Sequence, residues 1–373
     1  MATAVRRILF LNSIDAAVWG GLEHWMEMCG LGLADRGHAI HFAGREDSEF
    51  LRHLDKYDNV DLHPLSISGD FHPATIKALA GLIKKHAIEL VLCNFVKDVR
   101  LAGLAHKLAQ NYKIFWTPGV NLAKKSLSHK LLMTPFVDRA IVPSKHLRDE
   151  IVASGFLKSD IFEILPIGID EVFWTKDKAA CRQKIIAKYN LPDTAVICVT
   201  SGRFVPQKGH VHLIEAARPL IKKYPDLYFL FLGDGDLEDD LRTQIKQAGM
   251  ESKFIFCGLL DDHRDVVFSA DIYVHPAIIE PFGIVLVEAM AASLPVIACK
   301  VGGIPEVVAD GETAILVSPA SPPDLTNAIS RLYTDANLRE TLGQGGFQRY
   351  RKRFRKATMI DKLEKLIQQE LSE

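Results

Sequence analysis

The chain has 373 residues. At about 150 residues per domain this rules out a lone small module and predicts two folded units. Its 48% hydrophobic and 24% charged residues are those of a globular protein with sizeable cores, which excludes a mainly disordered chain. With 45 Lys+Arg against 46 Asp+Glu the net charge is −1, so no global field recruits nucleic acid, and any anion must be held by a local site.

The first apolar run, R-I-L-F-L-N (7 to 12), follows two arginines but is ended by Asn12, Ser13 and Asp15, too early for a signal peptide. A cytoplasmic location is therefore expected. Short β-branched or aromatic runs then alternate with longer helix-patterned stretches, which predicts α/β architecture with parallel sheets. In the first half the strands are expected at 7 to 12, 39 to 44, 90 to 95, 113 to 117 and 139 to 144. A helix is expected from Gly20 and Gly21 to about Gly37. After Pro166 a second series is expected at 195 to 202, 227 to 233, 254 to 258, 271 to 276, 295 to 300 and 314 to 317. Two Rossmann-like doubly wound sheets follow from this pattern, joined by a hinge near I-L-P-I-G-I-D (164 to 170).

The domains are accordingly expected at 1–166, 167–345 and a tail from 346 to 373. That tail reads R-Y-R-K-R-F-R-K and then M-I-D-K-L-E-K-L-I-Q-Q-E-L, whose apolar residues at 359, 360, 363, 366, 367 and 371 share one helix face. Such a helix packs against something already folded. The basic run is read as a solvated face, with peripheral contact to an anionic membrane as the alternative. The longest apolar region, Ala270 to Cys299, contains Glu280, Pro281 and Glu288, so it is no membrane span of ~20 residues. The six cysteines form no C-x-x-C pair and four lie in apolar runs, as buried thiols do in a reducing compartment.

Ligands of open α/β sheets bind beyond the carboxyl ends of the strands, so the loops there are the candidate sites. After 7 to 12 comes W-G-G-L-E-H-W, where Gly20 and Gly21 let backbone approach an anion and offer free N–H groups; a tight turn explains them equally well. After 195 to 202 comes G-R-F-V-P-Q-K-G-H. There a forked guanidinium, Arg203, and a point ammonium, Lys208, suit a diphosphate that gains charge as it leaves; two surface cations beside a turn are the bland reading.

After 271 to 276 comes H-P-A-I-I-E-P-F-G-I-V-L-V-E-A-M-A-A. Pro281 and Gly283 break the chain, and a buried helix follows. Carboxylates among such residues are costly unless something specific donates to them. Ribose hydroxyls are natural donors to Glu288, and the free N–H groups around Phe282, Gly283 and Ile284 can receive phosphate or sugar oxygens. V-G-G-I-P-E-V-V repeats the glycine-to-helix pattern, with Glu306 favoured in the first turn by the helix dipole. Asp234-Gly235-Asp236 looks like a metal-holding Asp-x-Asp, but a turn plus an N-cap accounts for it, so no metal is expected.

In this order and spacing the residues resemble the retaining glycosyltransferases of family four, of the group 1 type, over nearly the whole chain. E-P-F-G-I-V-L-V-E, two glutamates with seven residues between, carries most of the resemblance. G-R-F-V-P-Q-K-G, V-G-G-I-P-E, G-G-L-E and P-S-K-H-L-R-D-E (143 to 150) support it. The resemblance implies the GT-B fold, two Rossmann-like doubly wound parallel-sheet domains facing a central cleft, with an acceptor-binding first domain, a donor-binding second domain and a C-terminal helix that crosses back.

It further implies a nucleotide-diphosphate sugar as co-substrate, a glycan, lipid-linked or small-molecule acceptor, no separate cofactor and no metal. Arg203 and Lys208 would neutralise the diphosphate, Glu280 would sit by the sugar hydroxyls and Glu288 would hold the ribose. The backbone from Phe282 through Gly283 to Ile284 would close over sugar and phosphate. The base would lie near Gly258 and Leu259, with Gly20 and Gly21 beside the diphosphate. Retention would come from front-face attack in which the leaving phosphate takes the acceptor's proton.

One departure stands out. Many relatives place a histidine in the first-domain loop that here reads F-W-T-P-G-V-N, and neither Trp116 nor Thr117 replaces it; His129 is too weakly placed to do so. Asn94 and Lys97, in N-F-V-K-D-V-R, are expected at the cleft edge, with Lys97 meeting a phosphate or acidic group of the acceptor. Another GT-B enzyme, such as a phosphorylase or an epimerase, and a non-catalytic nucleotide-sugar-binding subunit are the rival readings. A two-domain solute-binding protein fits less well, for want of an export signal.

Overall fold

The computed structural model of the chain describes residues 4–14, 20–109, 111–119, 133–155, 157–172, 174–260 and 262–372. These form two compact units, Met1–Ile167 with Lys356–Glu373, and Gly168–Arg355.

The first unit is built on a seven-stranded sheet with β1 (Arg7–Asn12), β2 (Ala39–Arg45), β3 (Asp61–Leu65), β4 (Leu90–Cys93), β5 (Lys113–Trp116), β6 (Arg139–Val142) and β7 (Phe162–Ile164). The spatial order is β3-β2-β1-β4-β5-β6-β7, and every pairing is parallel. Two of these strands are not legible in sequence. β3 reads D-L-H-P-L, an edge strand that tolerates Pro64 because its outer N–H row is unpaired, and β7 has three residues.

Both faces of the sheet are buried, which is why the strands read as continuous apolar runs. Leu9, Leu11, Val91, Cys93, Ile114 and Trp116 face one core, and Ile8, Phe10, Leu90, Leu92 and Phe115 face the other. The terminal helix Lys356–Glu370 belongs to this second core through Met359, Ile360, Leu363 and Ile367. It packs on the helix Gly21–Ala34, where a Cβ at Gly32 would stand 2.8 Å from Ile360, so glycine permits the close approach. Arg36 clamps its outer side by ion pairs of 2.6 Å to Asp361 and to Glu364. The expected one-sided helix thus has its partner.

The second unit carries β8 (Val196–Ser201), β9 (Leu227–Leu232), β10 (Phe254–Gly258), β11 (Ile272–His275), β12 (Val296–Cys299) and β13 (Ala314–Val317), in the parallel order β10-β9-β8-β11-β12-β13. All six lie where the apolar runs predict. This unit runs on to Arg355, past the expected 345, because the helix Ala336–Arg353 packs against the helix Ile284–Ala291.

The basic run is not a plain solvated face. Arg349 donates to the carbonyls of Val307 (2.6 Å) and Glu306 (2.9 Å), while Arg351 and Arg355 pair with Glu171 at 3.7 and 3.5 Å. All six cysteines are free, and five are buried. Among the described residues no helix is long and apolar enough to cross a membrane.

Candidate functional site

In each sheet the winding reverses once, between β1 and β4 in the first and between β8 and β11 in the second. At such a switch point the loops after the two central strands diverge and leave a crevice. The loop after β8 holds Arg203 and Lys208, and the loop after β11 holds Glu280. The second switch point therefore assembles residues that lie far apart in the chain.

Lys208 closes a short turn, Pro206–Lys208, ahead of the helix His210–Lys223. Gly209 then adopts φ +65°, and a Cβ there would lie 2.2 Å from the carbonyl oxygen of Pro276, so only glycine lets the two loops touch. Gln207 accepts the N–H of Ile278 at 2.9 Å across the same contact. As a result Lys208 Nζ donates to Glu280 Oε2 at 2.7 Å, and His275 Nε2, at the end of β11, lies 2.8 Å from that same oxygen.

Glu280 is only 8% exposed. Burial pushes its pKa up, but the His275 hydrogen bond and the Lys208 ammonium outweigh it and hold the carboxyl at about 2. The carboxylate is thus ionised, with one oxygen engaged twice. The backbone of Glu280 is held from behind: its carbonyl accepts the Gly303 N–H at 2.9 Å, and a Cβ at Gly302 (φ +53°) would stand 2.0 Å from that oxygen. This explains the paired glycines of V-G-G-I-P-E.

Gly283 (φ +91°) starts the helix Ile284–Ala291 with no side-chain cap. Phe282 is buried and edge-on to Phe354, at 6.1 Å between centroids. Glu288, more than a turn into this helix, lies 3.3 Å from His263 Nε2. Burial lowers the pKa of His263, yet the hydrogen bond to Glu288 and the charge of that carboxylate prevail and raise it. Arg203 is exposed and makes no ion pair among the described residues. Gly258 ends β10 at φ +71°, and Leu259 beside it is 78% exposed.

His275 and His263 are absent from the residues expected for the site. The signal for His275 is faint, a polar residue on an apolar strand immediately before a proline, and His263 has none. His210 was missed too. It is buried under this loop against Phe204 (5.0 Å), neither ring nitrogen has a hydrogen-bond partner among the described residues, and burial, with His275 and Lys208 nearby, drives its pKa down to about 3.

The first switch point is wired differently from expectation. Gly20 is the N-cap of its helix, but its N–H is already taken by Glu23 Oε2 at 3.1 Å and is not a free donor; around Gly21 nothing lies within 4 Å of an added Cβ. Buried Glu23 also accepts from Asn12 (3.1 Å) and Asn94 (3.4 Å). Asn94 is fully buried, with its side-chain amide turned to Glu23. Lys97 is half-buried in the first turn of the helix Val96–His106. Trp116 and Thr117 are buried, with Thr117 donating to the Cys93 carbonyl at 3.2 Å, and His129 lies outside the described residues.

Asp234-Gly235-Asp236 corrects a detail. The cap of the helix Glu238–Gln247 is Leu237, with no side-chain cap, so Asp236 does not act as N-cap. The Asp234 carbonyl accepts the Phe204 N–H at 2.6 Å, and a Cβ on Gly235 would meet that backbone at 2.7 Å. The turn therefore buttresses the loop after β8.

The family model described as "Glycosyltransferase Family 4" matches residues 19–173, and that described as "Glycosyl transferases group 1" matches residues 182–349. Among curated relatives, the alpha-D-kanosaminyltransferase of Streptomyces kanamyceticus is 29% identical over 53% of this chain and 51% of its own length. A GDP-mannose-dependent monoacylated alpha-(1-6)-phosphatidylinositol monomannoside mannosyltransferase of Corynebacterium glutamicum is 27% identical over 74% of each chain. The chain spans about half the length of the first of these relatives. The crystal structure of Anabaena HepE in complex with UDP and glucose superposes with a TM-score of 0.84 at 21% identity, covering 97% of this chain and 99% of that one. The fold is thus GT-B, and the two glycosyltransferase family models between them take in most of the sequence.

Proposed function

We propose that the protein is a retaining glycosyltransferase that moves a sugar from a nucleoside-diphosphate sugar to a glycan or lipid-linked acceptor in polysaccharide or glycolipid synthesis. The observation that carries this reading is the meeting of Lys208, His275 and Glu280 on one carboxylate oxygen at the second switch point. A lysine ammonium has three N–H donors, so those not used on Glu280 are available to a diphosphate. Arg203 adds a forked donor set whose charge no carboxylate among the described residues pairs with.

In this reading the second unit is the donor domain. The second oxygen of Glu280 receives a hydroxyl of the donor sugar, and N–H groups from Phe282 to Ile284 receive sugar and phosphate oxygens at the helix end. Glu288, held by His263, takes the ribose hydroxyls. The base lies over Gly258 and Leu259, where an exposed apolar side chain gains a cover. UDP and glucose occupy the solved HepE structure, and a nucleotide is named as donor for the mannosyltransferase relative, which supports a nucleotide sugar here.

As the anomeric C–O bond to the diphosphate breaks, negative charge grows on the leaving oxygen next to Lys208 and Arg203. The acceptor oxygen attacks the same face of the anomeric carbon and passes its proton to that leaving oxygen. Catalysis is then electrostatic, from donors placed before the charge appears. The first unit carries the acceptor, with Lys97 meeting a phosphate or acidic group on it.

Lys208→Ala and Glu280→Ala are each expected to lower transfer by at least ~10²-fold, the size found for removing one preorganised donor. Both should keep the wild-type circular dichroism, and Lys208→Ala should lose most of the thermal shift by UDP, GDP or ADP sugars. Full activity in both variants would refute the site. For Lys97→Ala the expected result is a raised acceptor KM with donor KM unchanged; an unchanged acceptor KM rejects that contact.

A further inference from the structure

His41, His63 and His86 belong to no part of the machinery above. They lie in the first unit on β2, on the edge strand β3 and at the C-cap of the helix Pro73–Lys85. In the β2/β3 register His41 stands opposite Asp61, and Ala43 opposite His63. Residues two apart on a strand share a face, so His41, Asp61 and His63 project together, toward the core that contains this helix.

The donor atoms converge. His41 Nδ1 lies 3.1 Å from His63 Nε2 and 3.2 Å from Asp61 Oδ2. One nitrogen of each of the three histidines falls within 4.8 Å of the others. The His86 ring centroid is 4.7 Å from that of His41 and 4.8 Å from that of His63. With zinc–nitrogen bonds of about 2.0–2.1 Å, the edge of a tetrahedral site is roughly 3.3 Å, so the His41–His63 and His41–Asp61 separations already match, while His86 and the exposed Asp61 carboxylate must draw in toward the remaining ligands.

Two imidazole nitrogens at 3.1 Å cannot both carry hydrogen, so at least one presents its lone pair. His41 is 3% exposed, whereas the Asp61 side chain is open to solvent, which gives an ion a route in.

We propose that His41, His63 and His86, with Asp61 as fourth ligand, bind one divalent transition-metal ion of the zinc class at the β2–β3 edge of the first unit. Three imidazoles and a carboxylate are a borderline donor set that favours zinc over calcium or magnesium. Closing four positions makes the ion a structural tie between a proline-bearing edge strand and the end of a helix.

The test uses the full chain without a polyhistidine tag, stripped with chelator and titrated with ZnCl2 in a calorimeter and a thermal-shift assay. One equivalent should bind with a Kd of about 1 µM or tighter and raise Tm. His63→Ala and His86→Ala should each weaken binding at least ~10-fold, and His146→Ala, on another helix, should not. Absence of saturable binding, or binding that both variants leave unchanged, overturns the site. Should either variant misfold, imidazole ¹H–¹⁵N spectra of the unaltered chain decide: zinc must move the three rings, and shifts confined to other histidines reject the proposal.

Discussion

Asp98 shows how a single residue sets a cost at the first switch point. It is fully buried, and its two oxygens accept the N–H groups of Ser13 (3.0 Å) and Phe95 (2.8 Å), tying the loop after β1 to the loop after β4. Burial outweighs those hydrogen bonds and raises its pKa from 3.8 to about 7. Between these values the folded chain holds a proton that the unfolded chain has released, so stability falls as pH rises through the window and levels off above it. Asp98→Asn should remove that slope. Urea midpoints of both proteins at about pH 4.5 and 7.5 test it, and equal slopes would reject the account. Glu280 titrates the other way: its stabilising contribution is complete above its ordinary value of 4.5 and is lost as pH falls toward about 2. At this scale the sequence exposes Lys208, Glu280 and Glu288, because charges beside apolar runs and glycines demand partners. It hides His275 and His263, because a lone histidine carries no such demand.

At the scale of elements, the strands legible in sequence are those buried on both faces, and the two that escape are the edge strands of the first sheet, β3 interrupted by polar residues and a proline and β7 only three residues long. The terminal helix is legible from its one-sided pattern, though its partner is not. Its anchor is Leu363, with no exposed surface, in the core shared with β1 and β2. Leu363→Ala should cost about 2–5 kcal/mol, the range for emptying a core leucine site, while Lys362→Ala on the exposed side should stay within about 0.5 kcal/mol. Chemical unfolding measures both, and equal effects would mean that the helix adds little to the unit.

For the whole molecule the chain order matters. The second unit is continuous from Gly168 to Arg355, whereas the first is completed only by Lys356–Glu373. A fragment of residues 168–355 is expected to fold alone and to keep a nucleotide-induced thermal shift, since the Lys208, His275, Glu280 and Glu288 set lies inside it. A fragment of residues 1–167 leaves the core facing Met359, Ile360, Leu363 and Ile367 uncovered and should aggregate unless 356–373 is supplied. Size-exclusion profiles and melting curves of the two fragments check this. A well-folded 1–167 fragment would show that the terminal helix is dispensable.

By itself the sequence determined the α/β alternation, the two-sheet organisation and the loops in which charge had to be looked for. Periodicity, glycine and proline act within a few residues, so these features can be read locally. Only the tertiary structure decided that Gly20 and Asn94 are tied to Glu23, that Lys208 and His275 share one oxygen of Glu280, and that His41 and His63 stand side by side. The Asn94–Glu23, Lys208–Glu280 and His41–His63 pairings join residues 71, 72 and 22 positions apart. They arise from parallel strand order and register, which no local pattern specifies.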